Sequence, residues 1–472
     1  MVDKIRDFTR RKVVFVDWTN VDAGYGIKPG ARGMPYPPAE LVPRGIELAA
    51  FPGALDPEPC FSAQVPWESF YIAGYSTVIA ENAKLRLYYE CFLRDKRYPG
   101  EPRVSMLCYA ESSDAVTWYR PGLGLVEFNG SKDNNILIGP SQTKDGLGIH
   151  GAHVFVDPQA PAAEKYKLTY DGPGNKPFGG YSPDGIHWTI REQPIIDAEA
   201  DSENVVEWDP VLKKYVGYFR VWRQDRRGVA RGESDDFWHW PDPEIVLHAE
   251  ATLDADEDYY TNAYHAWPGT EAQHDAFVML PAMYHRTSDK LDAWLYTSKD
   301  GKHWYRPGRQ PFAARGDALY VGRGIWQLRP GEWNVLAGVY PFTHNAWHLL
   351  GASQKNRVGG LYRIRFREDG FTGITAAGEG EFWTATFNTR SPAVVLNAIT
   401  GPRGWIRVGL YDARFRQPIE GLEAKDCDPL RCDLLWNGVT WHGSGDVSEF
   451  SDVDLKLHVQ MCQATLHALR FQ

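Results

Sequence analysis

The sequence predicts an all-β chain, a five-bladed β-propeller followed by a C-terminal β-sandwich, and three observations carry that expectation. A phrase of the form Ser-x-Asp-x-x-x-Trp occurs four times, at Ser112 to Trp118, Ser182 to Trp188, Ser234 to Trp240 and Ser298 to Trp304. A β-rich run ending in large apolar or aromatic residues precedes each copy. Aromatic residues make up 13% of the chain, and 45 Gly and 32 Pro are spread along it, a mixture that favours strands and turns over helices.

A phrase returning at intervals of about 50 to 70 residues marks one structural unit used repeatedly. Within it, Ser and Asp suit a tight turn, because their side chains accept hydrogen bonds from nearby backbone amides. Gly185 and Gly301 supply left-handed backbone angles, and the Trp returns to a core. The runs before the phrases are Leu85 to Tyr89, Tyr166 to Tyr170, Tyr215 to Phe219 and Ala276 to Leu280. An inner strand, an aromatic strand and the phrase strand then build a four-stranded antiparallel blade. A fifth, degenerate copy runs from Trp333 to Gly338 and on through Arg365 to Phe371, with Phe371 in the place of the tryptophan.

After about residue 380 the repeat stops, and short strand-like runs follow at 393–397, 405–410, 455–459 and 466–471. These predict a small β-sandwich, so the expected division is a propeller over 1–380 and a sandwich over 381–472. The first 65 residues lack the repeat and are expected to wrap the propeller or to supply its closing strand.

A chain of 472 residues exceeds one ordinary core, in keeping with two units. The net charge is −10, and the basic cluster Arg6, Arg10, Arg11 and Lys12 is too small to track phosphates, so nucleic acid is not an expected partner. No apolar run is long enough to span a membrane, and Met1-Val2-Asp3-Lys4 does not open a secretory signal, which makes a cytoplasmic protein the expectation. The six cysteines stand far apart without partners at zinc spacing and are read as buried free thiols.

A propeller of about five blades followed by a β-sandwich resembles the glycoside hydrolase clans that contain families 32, 43 and 68. The segments Ser131-Lys132-Asp133-Asn134-Asn135, Phe155-Val156-Asp157-Pro158, Ser182 to Trp188 and Cys427-Asp428-Pro429 look closely like a group of uncharacterised bacterial proteins, often from planctomycetes, described as family 32 or 43-like. The resemblance implies a glycosidase. The invertase strings Asn-Asp-Pro-Asn-Gly and Arg-Asp-Pro are absent, and Glu90-Cys91, at the aromatic end of a strand, is read as coincidence. Fructan hydrolysis is therefore not implied.

In such a propeller the innermost strand of each blade delivers its first residues to the mouth of an axial funnel. Glycoside hydrolysis needs two carboxyl groups, one protonated to assist the leaving oxygen and one ionised. In blade 1, Trp67-Glu68 precedes the inner strand. In blade 2, His150 and His153 stand where the families bring an acid; bonding sugar hydroxyls, tuning an acid, holding an axial ion and serving as satisfied core histidines are all open to them. Blade 3 starts with Asp201-Ser202-Glu203-Asn204, where strand alternation would put Asp201 and Glu203 on one side. Blade 4 offers Asp258-Tyr259-Tyr260, and blade 5 offers Arg323.

The leading expectation is a glycoside hydrolase acting on a non-reducing-end sugar, a furanoside among the candidates. Its acids are drawn from Glu68, Asp201, Glu203 and Asp258, and its substrate contacts from Trp67, His150, His153, Tyr259, Tyr260 and Arg323. The expected partner is an oligosaccharide or glycoside. No cofactor and no metal ligand set is predicted, and an axial divalent ion stays open. The alternatives are a non-catalytic carbohydrate-binding propeller and a metal-assisted sugar-active enzyme using His150 and His153.

Overall fold

The computed structural model describes residues 6–24, 41–68, 70–93, 104–269, 276–346, 359–415 and 417–472. They are nearly all β, in a propeller-like arrangement of sheets, and the one α-helix among them is the single turn Ala249–Thr252. No helix among them is long and apolar enough to cross a membrane. The chain divides into two compact units. One comprises Pro52–Trp267 and Glu271–Glu368, and the other Met1–Phe51, Pro268–Thr270 and Asp369–Gln472.

In the first unit, three four-stranded antiparallel sheets follow one another along the chain. The first is Tyr71–Glu81, Lys84–Leu93, Val104–Ser112 and Ile136–Ile138. The second is His150–Val156, Tyr166–Gly172, Lys176–Ser182 and Thr189–Pro194, and the third Val205–Asp209, Lys214–Arg223, Arg226–Ser234 and Glu244–Leu247. A three-stranded sheet follows, of Tyr264–Ala266, Phe277–Met279 and Tyr296–Ser298. The aromatic run is the second strand of each, and the phrase serine is the last residue of each third strand. An eight-stranded sheet contains Glu332–Tyr340 and Gly360–Arg367, and Ala54–Leu55 closes it by pairing with Ile364 and Arg365. These two residues of the N-terminal region form an edge of that sheet.

The inner strands touch in sequence. Val154 N donates to Thr77 Oγ1 (3.3 Å), His153 Nε2 meets Val206 O (3.1 Å), and Asn262 Nδ2 donates to Glu203 O (2.9 Å). His265 hydrogen-bonds the backbone of Gly322, and Arg323 N donates to Ser76 O (2.6 Å), returning to the first sheet.

The second unit is a nine-stranded network around three long strands, Thr372–Trp383, Val394–Asp412 and Leu455–Phe471. Its division differs from the expected one at both ends. Residues 369–380 belong with these strands, and so does most of the N-terminal segment. Lys12–Val14 pairs with Ala468–Arg470, Glu47–Ala50 pairs with Thr372–Thr375, and Phe8, Val13 and Phe15 are buried in the same core as Phe382 and Val459. The physical reason is that long strands leave edges whose amides and apolar side chains need partners, and the N-terminal strands provide them. Phe371 is buried in this unit, so it does not take the tryptophan's place in the fifth repeat. All six cysteines are free; Cys91, Cys108 and Cys427 are buried, whereas Cys432 is exposed, because it lies in a connection and not in a strand.

The phrase is a self-contained turn. Ser112 Oγ accepts from Ala115 N (2.9 Å), and Asp114 Oδ1 accepts from Val116 N and Thr117 N (2.8 and 2.7 Å). The bonds recur at Ser182 with Asp184 and at Ser298 with Asp300. The amides of Thr117 and Val116 hold Asp114 down to about 2, which marks the phrase acids as turn formers. Each tryptophan packs half-buried against a different core cluster. Gly185 and Gly301 have φ of +77° and +70°, and a Cβ on either would collide with the hydroxyl of a tyrosine in the preceding sheet, Tyr88 or Tyr218. Gly174 has a similar φ of +74°, but its nearest neighbour is the end of Lys176 at 3.8 Å. Gly185→Ala is therefore expected to lose about 1–3 kcal/mol and Gly174→Ala about 1 kcal/mol. Urea unfolding of both variants measures this, and equal losses would remove the packing role of Gly185.

Candidate functional site

The starts of the second and third inner strands lie against each other. Gly151 has φ +60°, and a Cβ there would run into the side chain of Ser202, so only glycine lets the two chains approach. The third strand begins regularly at Val205, so alternation does not govern Asp201 to Asn204. Asp201 has a left-handed φ of +48°. Its carboxylate pairs with Arg220, and its side chain keeps 20% exposure. The amide of Asn204 bonds back to Asp201 O (2.5 Å), and Asn204 O accepts from Thr169 Oγ1 (2.8 Å), fixing the segment at both ends.

Glu203 is 1% exposed, and neither carboxyl oxygen has a hydrogen-bond partner among the described residues. Burial pushes it up to about 8, against the pull of Arg323 and Arg220. Arg220 is itself buried. It binds Asp201 and the Tyr260 carbonyl, and its guanidinium lies 4.3 Å over the Tyr260 ring. Tyr75, Tyr260 and Tyr320 form a wall with ring centroids 5.8 and 5.9 Å apart. His344 joins it through a 2.8 Å bond to the Tyr320 hydroxyl, and burial lowers this imidazole to about 4.

His150 Nδ1 bonds Glu90 Oε1 at 2.8 Å, and Glu90 Oε2 also accepts from Gly151 N (3.1 Å). Burial would lower the His150 imidazole, but Glu90, Asp171 and Asp201 together outweigh it and hold it above its ordinary value. Ser202 Oγ lies 3.4 Å from His150 Nε2. One nitrogen of His150 and one oxygen each of Asp171 and Asp201 lie within 4.8 Å of one another, an arrangement able to hold a metal ion. A buried carboxylate on the other ring nitrogen is the usual orienting partner of a ligating histidine.

The expected residues separate into those gathered here and those placed elsewhere. Asp201, Glu203 and Tyr260 gather around Arg220, and His150 stands beside Asp201. Arg323 and His153 are as buried as Glu203, and Arg323 acts on Glu203. Arg323 is 1% exposed and pairs with Glu207, and its Nε and Nη1 have no hydrogen-bond partner among the described residues. His153 is held neutral, well below its ordinary value, by burial and then by Arg323. Glu68 is fully buried, with Tyr89 and Arg120 on one oxygen (2.6 and 2.8 Å) and Gln64 N on the other (2.7 Å). Trp67 beside it donates to Asn135 (2.8 Å). Asp258 is fully buried between Arg226, Arg227 and Arg286, and reaches the site only through Arg227, 5.0 Å over Tyr260. The Tyr259 hydroxyl turns into the core, between Thr252 and Tyr296.

Sequence reasoning missed Glu90, Asp171, Arg220, Tyr75, Tyr320 and His344. A signal existed for the first three. Each follows directly on aromatic residues of a second strand, after Tyr88-Tyr89, Tyr170 and Tyr218-Phe219, where the aromatic run gives way to a charge. Glu90, dismissed with Cys91 as coincidence, stands at such a place.

No protein-family model matches the chain, and no curated protein matches it in sequence. Among solved structures it is similar to a protein described only as a glycoside hydrolase, with a TM-score of 0.46 at 14% identity over 66% of this chain and 92% of that one. It is similar to the catalytic domain of a GH62 alpha-L-arabinofuranosidase from Coprinopsis cinerea, with a TM-score of 0.44 at 12% identity over 67% and 97% of the two chains. It is also similar to a fructofuranosidase from Schwanniomyces occidentalis complexed with fructosylnystose, with a TM-score of 0.43 at 11% identity over 87% and 96%.

Proposed function

We propose that the chain is a glycoside hydrolase on a five-bladed propeller, removing a non-reducing-end sugar from an oligosaccharide or glycoside with Asp201 and Glu203 as its acids. One observation carries this reading. Two carboxyl groups two residues apart have opposite surroundings, one partly exposed and ion-paired with Arg220, the other buried with no hydrogen-bond partner among the described residues. Such an asymmetry separates an ionised carboxylate from a protonated one, as acid-assisted glycoside cleavage needs. Glu203 is the proton donor in this reading and Asp201 the ionised partner. Arg220 orients Asp201, and the tyrosine wall offers apolar faces and hydroxyls to a sugar ring. The chain of inner-strand contacts that returns to Ser76 supports five blades, with Glu332–Tyr340 and Gly360–Arg367 in the fifth. The long strands of the second unit are proposed to form the β-sandwich. Glu68, fully buried against Arg120 and Tyr89, and Asp258, fully buried among Arg226, Arg227 and Arg286, are assigned to holding the fold.

A metal-assisted reading has its own observation, the convergence of His150, Asp171 and Asp201 with Glu90 behind the imidazole. There a divalent ion would polarise the bond or a water. His150 would ligate through Nε2, because Glu90 holds Nδ1.

With a hydrolysed aryl glycoside as reporter, Glu203→Gln and Asp201→Asn are each expected to lower kcat about 100-fold or more. Full activity in both variants would overturn the assignment. Treatment with EDTA tests the metal reading: activity lost and regained with one divalent ion supports it, and chelator-resistant activity removes it. Stability supplies a separate test. Glu203 keeps its proton to about 8 in the folded chain, against 4.5 ordinarily, so the folded state binds more protons between those values. Stability is therefore expected to fall as pH rises through that window, by up to about 1.4 kcal/mol per pH unit, and to level off above it. Glu203→Gln should flatten that slope in urea titrations at pH 5, 7 and 9.

A further inference from the structure

We propose that the second unit carries a separate binding site for a single neutral sugar ring, on the outer face of its three long strands. In this unit Thr372–Trp383 and Val394–Asp412 pair with opposite edges of Leu455–Phe471, in the registers Glu379↔Cys462↔Trp405 and Glu381↔Gln460↔Arg407. Side chains alternate along strands, so these six residues share one face, and Phe382, Met461, Ile406 and Val408 lie in the apolar core on the other. Both pairings carry an irregularity at one level, between Ala376 and Glu379 and between Thr400 and Trp405. The outer face there holds a cavity of about 290 Å³, lined by Arg44, Glu379, Glu381, Trp405 and Gln460. That volume sits at the small end of ligand pockets, about 300 Å³, which suits one ring and not a chain.

The lining chemistry selects the ligand class. Glu381 Oε1 accepts from Arg44, and Oε2 accepts from His458 Nε2 (2.9 Å) and Gln460 Nε2 (3.3 Å). The His458 ring is fixed in turn by stacking on Trp383, with centroids 4.0 Å apart. Glu381 is therefore a preorganised acceptor flanked by donors, the pattern that matches adjacent hydroxyls, each of which donates once and accepts once. The half-buried Trp405 offers its indole to the apolar face of a ring. Glu379 and Glu381 balance Arg44 and Arg407, which lies 5.8 Å over the Trp405 ring, so the face carries no excess positive charge to select an anion.

The site goes beyond the catalytic reading, since it uses none of the residues assigned to hydrolysis. The test is calorimetric titration of the full-length protein with L-arabinose, D-xylose, D-galactose and D-fructose, and separately with calcium chloride. At least one sugar is expected to bind, with affinity lowered about tenfold or more by Trp405→Ala and by Gln460→Ala, retained by Asp201→Asn and largely restored by Trp405→Phe. Glycoside hydrolysis should be unchanged in Trp405→Ala, which keeps failure of this site distinct from failure of the catalytic assignment. The inference is overturned if none of the four sugars binds, if binding is indifferent to both Trp405→Ala and Gln460→Ala, or if calcium alone binds and Glu381→Gln abolishes it. The two alanine variants report independently, so a misfolded one, recognised by its thermal unfolding, leaves the other decisive.

Discussion

The left-handed turns at Gly185 and Gly301 press onto Tyr88 and Tyr218 of the sheets before them, and the positions of the strand starts depend on that contact. The Tyr218 hydroxyl donates to Gly301 O at 2.8 Å, and Arg86 Nη2 donates to Asp184 O at 2.6 Å, so each turn is bonded as well as packed. A turn tied by its own Ser and Asp is rigid before it docks. Its seat on the neighbouring tyrosine then transmits the placement of one sheet to the next. At Ser234 the glycine position is taken by Phe237, which packs instead beside Phe155 and Tyr215. The same junction is filled there by apolar volume.

Charge concentrates where the second strands finish. Glu90, Asp171 and Arg220 each follow an aromatic strand end, and they surround His150 and Asp201. Arginine is suited to this place because its planar fork serves Asp201 and the Tyr260 carbonyl at once while stacking on the Tyr260 ring. Glu203 feels the charges of Arg323 and Arg220 but has no hydrogen-bond partner among the described residues, and that difference from Asp201 is the chemical asymmetry of the site.

Much of the fold was readable because it rests on local rules. The four phrases, the aromatic second strands and the end of the repeat all depend on turn chemistry and alternation, which act over a few residues. The unit boundary was less readable, since it depends on which edge the N-terminal strands join, and Lys12 meets Arg470 across nearly the whole chain. The site was half readable. His150, Asp201, Glu203 and Tyr260 stand at strand starts, where a repeat-based argument looks. Glu90 and Arg220 stand at strand ends and were passed over. Glu68 and Asp258 looked equivalent to Asp201 in sequence, and what separates them is burial: Asp201 keeps 20% exposure beside Arg220, whereas Glu68 is fully buried against Arg120 and Asp258 against Arg226, Arg227 and Arg286.

By itself the sequence determined the repeating unit, the turn that closes its third strand and the short list of strand starts, because hydrogen bonds between residues two to four apart need no tertiary partner. Only the tertiary structure decided which acids pair with arginines and that Glu203 is buried with no hydrogen-bond partner among the described residues. It also decided that His150 faces two aspartates, and that Glu381, Gln460 and Trp405 share one outer face. Burial and charge pairing arise between segments distant in the chain, and no local pattern carries them.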